Sequence, residues 1–173
     1  MTVADKIRDS IHARFGGVSG VFEECLGSAG CAGLAQLLDR RSCRDYAAHE
    51  VPEGLVRVLL AAGLSAPSKS DLQQADVVWV RDARLRDEVL EGIGGAGWIK
   101  RAPVFLVVCA NGARLASLFE GEDFANDHFD ALFNATVDAA IVLEGIVAAA
   151  AWWGWGPARS ARSATGRSGS VGC

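Results

Sequence analysis

The five cysteines of this 173-residue chain, Cys25, Cys31, Cys43, Cys109 and Cys173, form no Cys-x-x-Cys pair, and their number is odd. Zinc knuckles and a closed disulfide framework are thereby excluded, and reduced thiols are expected, as in a cytoplasmic protein. An excess of positive charge is also missing: 17 Lys and Arg stand against 21 Asp and Glu, a net charge of −4. That balance excludes the broad basic face of a nucleic-acid binder. The opening residues carry Asp5, Lys6, Arg8, Asp9, His12 and Arg14, which leave no apolar leader and point to a chain that is not exported. A membrane span requires ~20 apolar residues. The stretch between Asp138 and Trp153 is shorter and is broken by Glu144, so a buried core or dimer helix is expected there rather than a membrane span.

Half of the residues are hydrophobic, enough to bury the core of one ordinary domain. Residues 1–33 hold one short helix, expected from Ala4 to Phe15, followed by two glycine-rich patches, and read as a variable lead-in. Gly17-Val18-Ser19-Gly20 lacks the second spacer of a nucleophile elbow and has no strand before it, so a hydrolase is not indicated. From Leu34, the apolar positions Leu34, Leu37 and Leu38 fall at helical spacing and run into Arg40-Arg41-Ser42-Cys43-Arg44-Asp45-Tyr46. Three guanidiniums and a hydroxyl at a helix end suit either of two roles. They can grip a phosphate, since Arg offers a planar fork of donors that stays charged at any physiological pH, or they can form a solvated basic helix end facing the macrodipole.

Pro52 and Glu53 start the next helix, whose apolar positions Leu55, Val58, Leu59 and Ala62 are expected to form its buried stripe, with Arg57 outside. Pro67 stops it. Ser68-Lys69-Ser70-Asp71 then forms a short loop of hydrogen-bonding side chains, placed where backbone can approach a ligand. A strand is expected over Val77 to Val80, and an amphipathic helix follows on Leu85, Val89, Leu90 and Ile93. Gly92-Ile93-Gly94-Gly95-Ala96-Gly97 matches the dinucleotide fingerprint in letters only, because a helix precedes it where the fingerprint requires a strand. Val104 to Cys109 is a continuous apolar run that reads as a central strand covered on both faces. The acidic loop Glu120–His128 matches neither an EF-hand nor His-x-x-x-His spacing and reads as a solvated helix start. The helix from Asp130 to about Ala151 is apolar apart from Asn134, Asp138 and Glu144. Residues 152–173 contain no acid and one branched aliphatic, a composition expected to stay disordered. Their Arg, Ser, Gly and Ala bias is similar to GC-rich codons read out of frame, so a frameshift or premature stop near Ala151 is expected.

Taken in order, the Arg40–Tyr46 box, the helix ending in Ala66-Pro67-Ser68, the nearby Gln73, the strand, Trp98 to Pro103 and Phe124 to Ala135 resemble the FMN-dependent nitroreductase family. Within it the chain is most similar to the NADPH-dependent, oxygen-insensitive branch, in which Gln is followed by small or polar residues, as at Gln74 and Ala75. The likeness covers Ala35 to Ala151. It implies an α+β fold, an antiparallel or mixed sheet flanked by helices with a long central dimer helix, carried by a partial domain over residues 34–151. It also implies a homodimer that binds FMN and uses NAD(P)H to reduce nitroaromatics or quinones by ping-pong hydride transfer. No side chain is then needed as a catalytic acid or base, since the flavin carries the chemistry. Arg40, Arg41 and Ser42 would hold the phosphate or ribityl chain, and Arg44 would lie beside the N1 and O2 edge of the ring. Ser68, Lys69, Ser70 and Gln73 would meet the flavin from the other subunit. Asp71 stands where many members carry Asn, and a carboxylate near an anionic ring is unfavourable. The alternative is a non-catalytic remnant that binds no flavin.

Overall fold

The computed structural model describes residues 2–16, 30–47, 49–94, 97–119 and 129–155. Among these, the order of elements is α1 (Val3–Phe15), α2 (Cys31–Asp39), α3 (Glu53–Leu64), β1 (Ala75–Trp79), α4 (Ala83–Gly92), α5 (Gly97–Lys100), β2 (Leu106–Ala110), α6 (Ala113–Leu118) and α7 (Phe129–Trp152). The glycine-rich patch at 17–29, the acidic loop at 120–128 and the segment beyond 155 lie outside the described residues, and so do the expectations attached to them.

Helix starts follow from local chemistry. Thr2 and Asp5 form a reciprocal capping box on α1, each side chain accepting from the other's backbone N–H, which satisfies two donors that the first turn leaves open. Gly16 ends α1 at φ 75°, the left-handed geometry that glycine adopts without a Cβ penalty. Asp82 caps α4 through the N–H of Leu85. Ile7 and Ile11 of α1 pack on Cys31 and Ala35 of α2, with Leu38 beside them, in a small core of their own.

The larger core lies under α7. Ala75, Val142 and Ile146 form its centre, with Leu60, Val77, Leu106, Val108 and Ala139 packed around them. β1 and β2 run antiparallel with Val77 opposite Val108 and Trp79 opposite Leu106. Alternate side chains of a strand face opposite ways; Val77 therefore meets α7 while Val78 is 47% exposed. The expected double cover of Val104 to Cys109 is corrected here. Residues 106–109 of β2 are only partly buried, because the described sheet has two strands and α7 packs on one of its faces.

The stripe expected on α3 is also turned. Val56, Leu59 and Gly63 are buried, whereas Val58 is 49% exposed and Ala62 is exposed. Close approach to α7 sets this rotation: a Cβ on Gly63 would lie 2.4 Å from Ile146 Cγ1, and one on Gly145 would lie 3.0 Å from the Gly63 Cα. Two glycines facing each other let the backbones meet where any side chain would hold them apart.

α7 spans 24 residues, and it is long and apolar enough by composition to cross a membrane. One face is instead core, through Ala135, Asp138, Val142, Ile146, Val147, Ala150 and Ala151. Phe129, Leu132, Phe133 and Trp152 remain exposed elsewhere along it.

Candidate functional site

Two groups of residues carry the chemistry singled out in the sequence. The first is the extended segment after α2. Arg40 is the C-cap residue of α2, so the basic box begins where the helical carbonyls run out and a cation is favoured. Arg41 reaches Asp39 at 3.9 Å with its side chain 73% exposed. Ser42 is exposed as well. The guanidinium of Arg44 lies over the indole of Trp98, 5.5 Å from the ring centroid, a cation–π contact made by an exposed side chain. Cys43 Sγ donates to the Asp45 carbonyl at 2.9 Å. Partial burial, and next the neighbouring Cys43, push the Tyr46 hydroxyl above its ordinary value of 10.0, against the opposing pull of Arg44 and Arg101.

The second group is the turn between α3 and β1. Ser65 closes α3 by donating from its hydroxyl to the Ala61 carbonyl at 2.7 Å, and Pro67 follows the helix end. Asp71 and Gln73 both adopt left-handed backbone, with φ of 56° and 51°. Such residues cost roughly 1 kcal/mol or more each and persist only where their surroundings hold them. The hold comes from Asp138 on α7, whose carboxylate accepts the Lys69 N–H at 2.7 Å and the Gln74 N–H at 2.8 Å. Within the turn, the Gln73 N–H donates to Ser68 Oγ at 3.4 Å. The Lys69 ammonium lies 5.6 Å from the centroid of Phe133.

A cavity of about 50 Å³ opens beside this turn, lined in part by Pro67, Ser68, Gln73, Arg114, Asp138 and Val142. Arg114 pairs with Asp76, which also accepts from the Asn111 side chain at 2.5 Å, so the guanidinium is braced at the cavity wall. The side-chain amide of Gln74 is fully buried, yet neither Oε1 nor Nε2 pairs with a described group, and Asn134 Oδ1 is in the same condition. Buried amides left in that state cost about 1–3 kcal/mol. The turn thus sits beside unused hydrogen-bonding capacity.

The structure therefore gathers Ser68, Lys69 and Gln73 on α7, with Ser70 exposed on the same turn, and keeps Arg41 and Arg44 with Asp39 and Trp98. Asp138 was legible as a rare acid within an apolar helix, though its partners were not. Arg114, Asp76 and Asn111 carried no sequence signal, because nothing local distinguishes them from surface polar residues. Asp71 is exposed.

Helices packed on one face of a short antiparallel pair, with an exposed arginine segment and a serine-bearing turn, define an α+β protein. The profile described as the Nitroreductase family matches residues 37–163; the chain belongs to the nitroreductase family. It is 35% identical over 128 residues to the FMN reductase [NAD(P)H] of Bacillus subtilis, covering 71% of this chain and 51% of that protein. It is 29% identical over 123 residues to the NADPH-flavin oxidoreductase of Vibrio harveyi, covering 71% and 50%. Among solved structures, the NADPH:FMN oxidoreductase from Vibrio harveyi complexed with NAD+ superposes with a TM-score of 0.66 at 27% identity, over 72% of this chain and 54% of that one. Nitroreductase A from Vibrio parahaemolyticus gives a TM-score of 0.66 at 27% identity, over 72% and 53%. The fold is thus the α+β nitroreductase fold, and the chain spans about half the length of the curated relatives it matches.

Proposed function

We propose that this chain carries part of an FMN-dependent NAD(P)H oxidoreductase of the cytoplasm, active as a homodimer on nitroaromatics or quinones. The observation that carries the reading is the segment Arg40 to Arg44, in which the Arg41 and Arg44 guanidiniums and the Ser42 hydroxyl are exposed beyond the end of α2 within the family match. The donor set fits FMN. Two exposed guanidiniums and a hydroxyl suit a phosphate, and the unpaired amide atoms at Gln74 and Asn134 lie on the elements that hold the second group of candidate residues.

In this reading Arg40, Arg41 and Ser42 bind the phosphate and ribityl chain. Arg44 holds its charge beside the N1 and O2 edge of the ring, where a fixed cation stabilises negative charge without reorganising. Ser68, Lys69, Ser70 and Gln73 approach from the partner subunit. Held by these residues, FMN would supply the hydride-transfer chemistry between NAD(P)H and a second substrate, a ping-pong route. The chain's residues orient and shield that exchange and supply no acid or base for the hydride step. The names of the relatives, one an NAD(P)H-dependent FMN reductase and one an NADPH-flavin oxidoreductase, support the choice of cofactors. Exposed Phe129, Leu132 and Phe133 on α7 support pairing of two copies through an apolar face.

The test is the visible spectrum of the purified chain before and after addition of FMN, followed by turnover with NADPH and a quinone. A yellow, active protein is expected, and Arg44→Ala is expected to lower turnover by about 100-fold. A chain that stays colourless and inactive with FMN present defeats the proposal and leaves the flavin-free alternative.

A further inference from the structure

Asp138 is 98% removed from solvent, with a relative exposure of 2%, in a helix that otherwise buries alanine, valine and isoleucine on that face. A buried carboxylate is retained only where it is well paired. Its two oxygens engage opposite ends of one turn: Oδ1 takes the Lys69 N–H at 2.7 Å and Oδ2 takes the Gln74 N–H at 2.8 Å. Between those two anchors lie both of the non-glycine residues that have positive φ among the described residues, Asp71 and Gln73. A turn of that shape relaxes when its ends are released, because left-handed backbone is unfavourable for residues that carry a Cβ. An isosteric amide cannot replace the carboxylate, since Asn has a single acceptor oxygen and its amino group repels an N–H donor.

We infer that Asp138 is a positioning residue: by bridging the Lys69 and Gln74 amides it locks the turn in the conformation that presents Ser68, Lys69, Ser70 and Gln73 to ligand. It acts through the backbone of the turn, from an element 64 residues further along the chain than Gln74. The inference rests on the FMN reading for the identity of that ligand, whereas the locking itself is independent of it. Ser68, Gln73 and Asp138 line the same cavity, so a loosened turn changes the wall that a ligand meets.

The experiment uses the full chain. Amide hydrogen exchange is followed by NMR without flavin, and FMN and riboflavin binding are followed by fluorescence quenching, in the natural chain and in Asp138→Asn. In the natural chain the Lys69 and Gln74 amides should exchange at least tenfold more slowly than those of Ser70 and Asp71. In Asp138→Asn at least one of the two anchor amides should exchange about tenfold faster, while Val142 and Ile146 in α7 keep their protection. FMN and riboflavin should both bind about tenfold more weakly, as expected for loss of one charge-assisted bond, with the preference for FMN unchanged because the arginine segment is untouched. Unchanged exchange at both anchors in the variant, or fast exchange at them in the natural chain, overturns the locking, and the second measurement holds even if the variant does not fold. Faster exchange with undiminished flavin binding overturns the positioning role. If the natural chain binds neither flavin, the FMN reading fails on that result alone, and the exchange data still decide the locking.

Discussion

The carboxylate of Asp138 accepts the backbone N–H of Gln74 at 2.8 Å, joining the middle of α7 to the residue that leads into β1. With its second oxygen on the Lys69 N–H, it leaves neither amide unsatisfied where the turn meets α7. Removing the acceptor leaves the fully buried Gln74 with an N–H that has lost its partner. Asp138→Ala is therefore expected to destabilise the fold by about 3 kcal/mol, read from urea denaturation midpoints at unchanged slope. A loss below ~0.5 kcal/mol contradicts the assignment of that bond as structural.

The contact of α3 with α7 gives a second expectation. A methyl group on Gly63 would meet Ile146 Cγ1 at 2.4 Å and the Val142 carbonyl oxygen at 3.0 Å. Alanine has the better helix propensity, yet the steric term outweighs it here, since overpacking of this kind costs about 1–3 kcal/mol. Gly63→Ala should lower the denaturation midpoint, whereas Gly54→Ala, with nothing within 4 Å of the added group, should not.

Tyr46 is the single tyrosine of the chain, so its ionisation is directly readable by ultraviolet titration. Burial first, and the adjacent Cys43 next, raise its value above 10.0. The stabilising contribution of the neutral hydroxyl is then complete below the unfolded value and is lost as pH rises through the folded one. The native chain should titrate at higher pH than the same chain in urea. Coincident curves would remove the case for a partly buried ring beside the arginine segment.

Acid has the opposite effect at Glu53. The hydrogen bond from Arg57, at 2.6 Å, and the charge of Arg81, at 3.1 Å from its other oxygen, hold this carboxyl below its ordinary value of 4.5. Its contribution is present above 4.5 and is lost as pH falls through the lowered folded value. Glu53→Gln should flatten the stability profile on that acidic flank, and added salt should shrink the difference because the pairs are exposed. A profile as steep as that of the natural chain would assign the acid sensitivity elsewhere.

On the proposed FMN reading, the arginine segment should distinguish a flavin with a phosphate from one without. Arg40→Ala should weaken FMN binding by about tenfold while leaving riboflavin binding nearly unchanged, because a guanidinium on a phosphate loses its partner when the ligand has none. Equal weakening of both flavins would place Arg40 away from the phosphate.

Much of the architecture was written in local chemistry. Pro52 and Glu53 mark the start of α3, Pro67 follows its end, and the apolar length of α7 and the arginines beyond α2 are visible in the bare sequence, because caps, breakers and composition act over a few residues. The family likeness was legible for the same reason, since its motifs are contiguous. Tertiary structure alone decided which face of α3 is buried. Periodicity permitted Val58 and Ala62, but the Gly63 and Gly145 contact turned Val56 and Gly63 inward. It also decided that the apolar run at β2 is covered on one face, since neighbours that pack on a strand come from distant sequence. The pairing of Asp138 with Lys69 and Gln74, and the bracing of Arg114 by Asp76, belong to the same class. Hydrogen bonds spanning dozens of residues leave no periodic trace; they exist only once packing has brought the elements together.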